Sequence, residues 1–230
     1  NIIYAVIIGL APAVFWLWFF LKEDCHPEPK WMIIYTFLGG MAIIPVALIL
    51  EKLIFEVFLY FKLANNDNMY PVLLLFALAG VEEYLKYLVA SKTALKKKVF
   101  DEPVDALIYL IIAALGFAAF ENILFVFKEF GTHNIIPSIL SGNIRFLGPT
   151  LLHIASSSIV GISIAFSFFH KKNRIKNIFW GLMLATSLHT FFNYFIINNE
   201  SGNIIKTFLF VWVIIIIILF LFEKIKKLKN

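Results

Sequence analysis

The sequence predicts an all-α fold, a polytopic membrane bundle of about seven helices, and three observations predict it. Of 230 residues, 61% are hydrophobic and only 15% are charged, against roughly 25% charged in soluble domains. The apolar residues run continuously for about twenty positions at a time, the length that crosses hydrocarbon as a helix. They do not alternate with polar residues, as the strands of a membrane barrel would.

Taken in order, the principal spans are about 2–21, 31–50, 70–90, 104–127, 146–169, 176–197 and 204–222. The first is too long, and lacks the small-residue cleavage signal, for a secretory leader. After the second, segment 51–63 sets Glu51, Lys52, Glu56 and Lys62 among aromatic residues. It reads as amphipathic, either extending the second helix or lying at the interface. Asn65-Asn66-Asp67-Asn68 breaks the chain before the third span. Between the fourth and fifth spans, Gly131 to Asn143 carries Pro137 and Gly142; it reads as a loop or a short re-entrant piece, with an eighth span as the alternative. The last span is isoleucine-rich. No internal repeat divides the chain, so residues 1–230 form one transmembrane domain.

Basic residues set an orientation. Fourteen lysines and arginines fall in the odd-numbered connections and the C-terminal tail, and five in the even-numbered connections. Lysine-rich loops stay in the cytoplasm, so the C-terminus is expected inside a multi-pass cell-membrane protein. The net charge of +5 resides in these connections. It therefore points to the lipid bilayer, and no nucleic-acid partner is expected. The single cysteine, Cys25, excludes an intrachain disulfide and a multi-cysteine metal site.

Four polar clusters interrupt the apolar spans: Glu82-Glu83-x-x-Lys86, Phe117-x-x-x-Glu121-Asn122, His153 eight residues after Arg145, and His189-x-x-x-Asn193. Charged groups at membrane depth cost roughly 2.5–3.5 kcal/mol each on insertion scales, so a shared, protected site is the economical expectation. At 1.5 Å per residue, three clusters lie about 9–12 Å below the outer surface and Glu82 lies deeper. Glu82 and Lys86 suit an intrahelical pair, but such a pair leaves the adjacent Glu83, about 100° around the helix, needing its own partner. One of two neighbouring carboxylates in low dielectric can serve as a proton acceptor or donor. Glu121 is either a packing hydrogen-bond partner or a reacting group. His153 shares a face with Ser156 and Ser157. His189 and Asn193, four apart, can hold a developing oxyanion or make an interhelical hydrogen bond.

Common alternatives are missing from the sequence. No His-Glu-x-x-His signals a zinc helix, and no Gly-x-Ser-x-Gly elbow signals a hydrolase serine. The four aspartates lie in loops or at span ends, which leaves no intramembrane aspartyl dyad. What remains is glutamate and histidine chemistry.

At these residues the chain resembles the PrsW family of intramembrane proteases, within the wider group of CAAX- and bacteriocin-processing enzymes. The resemblance rests on Glu82-Glu83-x-x-Lys86, on Glu102-Pro103-Val104-Asp105-Ala106-Leu107-Ile108-Tyr109 followed by Leu115 to Leu124, on Arg145 with His153, and on His189-x-x-x-Asn193. It covers about residues 80–195. It implies endoproteolysis of a membrane-anchored protein substrate, such as an anti-sigma factor, on the extracytoplasmic side. It also implies a water-activating base at Glu82 or Glu83, assistance from His153, and an oxyanion held by His189 and Asn193. Lys86, Glu121, Asn122 and Arg145 would support them. CAAX-type relatives carry arginine where this chain has Lys86, and histidine where it has Glu121, so the role of Glu121 is left open by the resemblance. Two mechanisms fit it: a metal-free glutamate mechanism, which is the expectation, or a zinc site on Glu83, or Glu82, with His153 and His189. The rival functions are a non-catalytic scaffold for transmembrane partners and a proton-coupled transporter.

Overall fold

The computed structural model describes residues 2–24, 26–63, 71–132, 148–198 and 204–228. Among them are eight α-helices: α1 (Ile2–Lys22), α2 (Lys30–Ala42), α3 (Ile44–Tyr60), α4 (Val72–Ala90), α5 (Asp105–Thr132), α6 (Pro149–Ala165), α7 (Arg174–Asn198) and α8 (Ile204–Ile225). Helices α2 and α3 are one rod broken at Ile43, because Pro45 in the first turn of α3 has no N–H for the preceding turn. The described chain is thus seven helical rods, as the hydropathy pattern predicts. Four of them, including the joined α2–α3 rod, are long and apolar enough to cross a membrane, and α6 is a shorter apolar helix.

The centre of the bundle is α5. Two thirds (67%) of its most apolar window is buried, against 28%, 22% and 28% for the rods of α1, α2–α3 and α8. Small residues make this possible by letting backbones approach. A Cβ at Gly116 would stand 2.0 Å from the Phe37 carbonyl oxygen, and one at Gly40 2.2 Å from that of Ala113. Helices α2 and α5 therefore cross in backbone contact. Helix α6 packs on the other side of α5, with Thr150 through Ser158 all buried.

Segment 51–63 does extend the second helix. The rod ends at Tyr60 in a left-handed residue, Lys62 at φ 55°. There the Lys62 N–H donates to Leu59 O at 3.0 Å and the Leu63 N–H to Phe58 O at 2.9 Å. This doubly bonded turn satisfies two of the last carbonyls. Helix α4 runs straight into a single π-helical turn, Ser91–Leu95. Helix α5 reaches Thr132, five residues beyond the end expected from hydropathy alone. The polar break at 65–68, most of the 131–143 segment and Arg145 lie outside the described residues.

Candidate active site

Helix α4 carries two stripes of different character. Ala79, Glu83, Lys86 and Ala90 recur at helical spacing and are all buried. Leu75, Leu78 and Glu82 form the next stripe and face a cleft of about 450 Å³ that also meets α3 and α7. The two adjacent glutamates are therefore divided between the interior and an opening.

On the inner side, Glu83 is 1% exposed. Its Oε1 accepts from Lys86 Nζ at 2.8 Å and from His189 Nδ1 at 2.8 Å, with Ser156 Oγ at 2.9 Å; its Oε2 accepts from Ser157 Oγ at 3.0 Å. The serines come from α6, whose Ser156 and Ser157 lie one helical turn past His153. Lys86 is fully buried and spends its three ammonium protons on Glu83, on Glu82 Oε2 at 3.3 Å and on His153 Nδ1 at 2.7 Å. Its Nζ also lies 4.5 Å from the centre of the Phe117 ring. A buried ammonium is tolerated when every proton has an acceptor.

These partners fix the imidazole tautomers. Lys86 can only donate, so His153 accepts at Nδ1 and carries its proton on Nε2, which it gives to Glu121 Oε2 at 2.7 Å. His189 donates its Nδ1 proton to Glu83, which leaves Nε2 on the side of Glu82. Glu82 Oε2 sits 3.9 Å from both His153 Nδ1 and His189 Nε2. The two rings are 5.3 Å apart and nearly perpendicular at 83°.

The ligand atoms of Glu82, His153 and His189 lie within 4.8 Å of one another. A tetrahedral zinc with bonds of about 2.0–2.2 Å would need its donors roughly 3.3–3.6 Å apart, so the widest pair would have to close by about 1 Å and His153 Nδ1 would have to leave Lys86 Nζ, 2.7 Å away. The donor set, one carboxylate and two imidazoles, is that of a catalytic zinc site with an open fourth position. The Glu83–His189 hydrogen bond is the outer-shell support that a ligating histidine usually has. By residue type the set fits a divalent metal. Its carboxylate is Glu82, the alternative to Glu83, which hydrogen-bonds to the other side of His189.

Each of the four polar clusters contributes to one site, but not every residue singled out with them does. Glu82, Glu83, Lys86, His153, His189 and Glu121 form one connected cluster, and Asn193 lines the cleft beside Glu82. Asn122 turns away and donates to Thr150 Oγ1 at 3.1 Å, fastening α5 to the start of α6. The Glu102 to Tyr109 motif lies at the far end of α5. Asp105 Oδ2 accepts from the backbone N–H groups of Asp101 (3.0 Å) and Glu102 (2.8 Å), while Glu102 meets His26 at 2.7 Å and Tyr109 donates to Glu28. That motif is a corner joining α5 to the α1–α2 connection.

One cleft acid escaped the sequence reading. Glu51, taken there as part of an amphipathic extension, lines the cleft with Leu48, Lys52 and Phe55. The signal was present as the spacing i, i+3, i+4, i+7 on one face of a continuous helix.

A family model described as "PrsW family intramembrane metalloprotease" matches residues 28–221. Among similar curated proteins, Protease PrsW of Clostridioides difficile is 29% identical over 100% of this chain and 92% of its own length. Protease PrsW of Oceanobacillus iheyensis is 26% identical over 90% of each. That of Bacillus subtilis is 25% identical over 89% of this chain and 88% of its own. No solved structure gives a significant match.

Proposed function

Because the chain belongs to the PrsW family of intramembrane metalloproteases, we propose that it cleaves membrane-anchored proteins of the anti-sigma-factor kind, near the extracytoplasmic face, with a water activated beside Glu82. One observation carries the reading. Glu82 is the carboxylate that opens to the cleft and lies 3.9 Å from both imidazoles. Glu83, with hydrogen bonds to both oxygens, has no such freedom.

The roles follow from the hydrogen bonds. Glu82 accepts the proton of the attacking water, beside Nε2 of His189. Glu83 accepts the Nδ1–H of the same ring in a hydrogen bond and so fixes its orientation. Glu121 holds His153 from the other side at 2.7 Å. Asn193, on the cleft wall, offers carboxamide protons to the oxyanion. In the alternative, a divalent ion held by Glu82, His153 and His189 would supply Lewis acidity and lower the pKa of a bound water, with Glu82 then a ligand and not the base. The charge balance supports such an ion, since the four carboxylates of Glu51, Glu82, Glu83 and Glu121 gather about two ammonium groups, Lys86 in the interior and Lys52 on the cleft wall. The extracytoplasmic placement is supported by the lysine-rich connections at the opposite end of the bundle.

The test is cleavage of a membrane-anchored reporter by purified protein. Glu82→Gln is expected to slow cleavage about 10²–10⁴-fold at unchanged thermal stability. Cleavage at the unsubstituted rate would overturn the proposal. Chelation is expected to abolish cleavage and zinc to restore it; chelator-resistant activity that still needs Glu82 would assign the metal-free mechanism.

A further inference from the structure

One large cavity lies away from the acid–imidazole cluster. It measures about 690 Å³ and lies where α4 ends, against the turn after α6 and the start of α7. Ser91 on its wall is nine residues past Glu82, about 13 Å along the helix, toward the lysine-rich end. Three cations line it, Lys96, Lys97 and Arg174, and none of them has a carboxylate partner among the described residues. Arg174 is held in place: its Nη2 donates to Leu95 O at 3.4 Å, and its guanidinium lies 5.0 Å from the Phe100 ring centre. Phe100 is in turn braced edge-on by Phe168 at 5.0 Å. Its remaining N–H groups have no carboxylate to answer them, and Ser91 adds a hydroxyl to the wall.

A second groove of about 440 Å³ adjoins it and shares Lys97. Its other walls are Trp31, Ile34, Tyr35 and Leu38, all more than half exposed. Lys97 Nζ stands 5.2 Å from the Tyr35 ring and 5.8 Å from that of Trp31, so one lysine marks the boundary between a cationic pocket and an apolar channel. Tryptophan and tyrosine beside lysine are the residues of the membrane interface. Basic pockets between membrane helices on the cytoplasmic side suit anionic headgroups.

We propose that Lys96, Lys97 and Arg174 bind the phosphate of an anionic phospholipid, with an acyl chain lying along Trp31, Ile34 and Leu38 of α2. The phosphodiester accepts from the fixed guanidinium and the two ammonium groups, and the apolar channel selects a lipid over free phosphate. The occupant would tie the α4 end and the α6–α7 turn to α2.

Native mass spectrometry of the purified chain, exchanged into mixed phosphatidylglycerol and phosphatidylcholine micelles, tests this. Retained phosphatidylglycerol is expected to fall about tenfold in Lys96→Gln/Lys97→Gln and further with Arg174→Gln. The exposed pair at the other basic stretch, Lys224→Gln/Lys227→Gln, makes the same change in net charge and is expected to retain lipid within twofold. The lysine pair alone keeps the test intact if the arginine variant does not fold. Saturable binding of inorganic phosphate that is lost in the same variant, without lipid retention, would assign the anion site to free phosphate and overturn the lipid. Equal retention in all the proteins, or equal loss in both lysine pairs, would overturn the site itself.

Discussion

The two walls of the acid–imidazole cluster are built from neighbouring residues yet are opposite in kind. The inner wall, Glu83, Lys86, Ser156 and Ser157, is closed to solvent and saturated with hydrogen bonds. The outer wall, Glu82, Glu51 and Asn193, borders a cleft. A hydrogen-bonded, buried carboxylate is held at one charge and one position. An open one is free to meet water and exchange a proton. The proposed function uses both: a saturated acid to set geometry and an unsaturated one to react.

Substitutions should separate the walls. Lys86→Met is expected to have the largest effect, because it strands Glu83 in the interior; breaking one partner of a buried pair costs about 3–5 kcal/mol. Denaturation in mild detergent should show that loss together with lost cleavage. By contrast Glu82→Gln should leave the denaturation midpoint nearly unchanged, and equal destabilisation by the two would abolish the distinction drawn between the walls. Ser157→Ala, which removes one bond to a charged acceptor, should cost about 1.5–3 kcal/mol and slow cleavage only mildly. Glu121→Gln keeps an acceptor for His153 but removes its charge; about a tenfold slower cleavage is expected, read most clearly as a changed pH profile.

A smaller effect should appear at the opposite end of the bundle. Burial pushes the Glu28 carboxyl above its ordinary range, and the Tyr109 hydrogen bond opposes the shift. A carboxyl raised on folding stabilises most below its unfolded pKa, and that contribution is lost as pH rises through the folded value. Thermal midpoints should therefore decline from mildly acidic to neutral pH, and Glu28→Gln should flatten that part of the slope.

Much of the site was legible because acids and imidazoles stand out in apolar runs. Glu82, Glu83, His153 and His189 were all conspicuous for this reason, and the structure brings all four together. Which glutamate faces inward was not legible. It depends on Ser156 and Ser157, more than seventy positions away in sequence, and on how α6 is rotated against α4. Asn122 stood in a suggestive place but serves packing, since its partner Thr150 became visible only once α6 was docked. Glu51 was hidden by the opposite problem: among Lys52, Glu56 and Lys62 it read as one charge of an amphipathic segment, and the packing of α3 against the cleft is what brings it there.

The break at Ile43 acts as a lever. Its near arm, α2, is pressed against α5 at Gly40 and Gly116 too closely to slide. Its far arm, α3, carries Leu48, Glu51, Lys52 and Phe55 along one side of the cleft. Glu51 lies seven residues past Ile44, an arm of about 10 Å, so a 10° change of direction at the break displaces it by about 2 Å. The direction the chain takes at Pro45, two turns away, thus sets where Glu51 stands across the cleft, through residues that touch none of the acid–imidazole cluster.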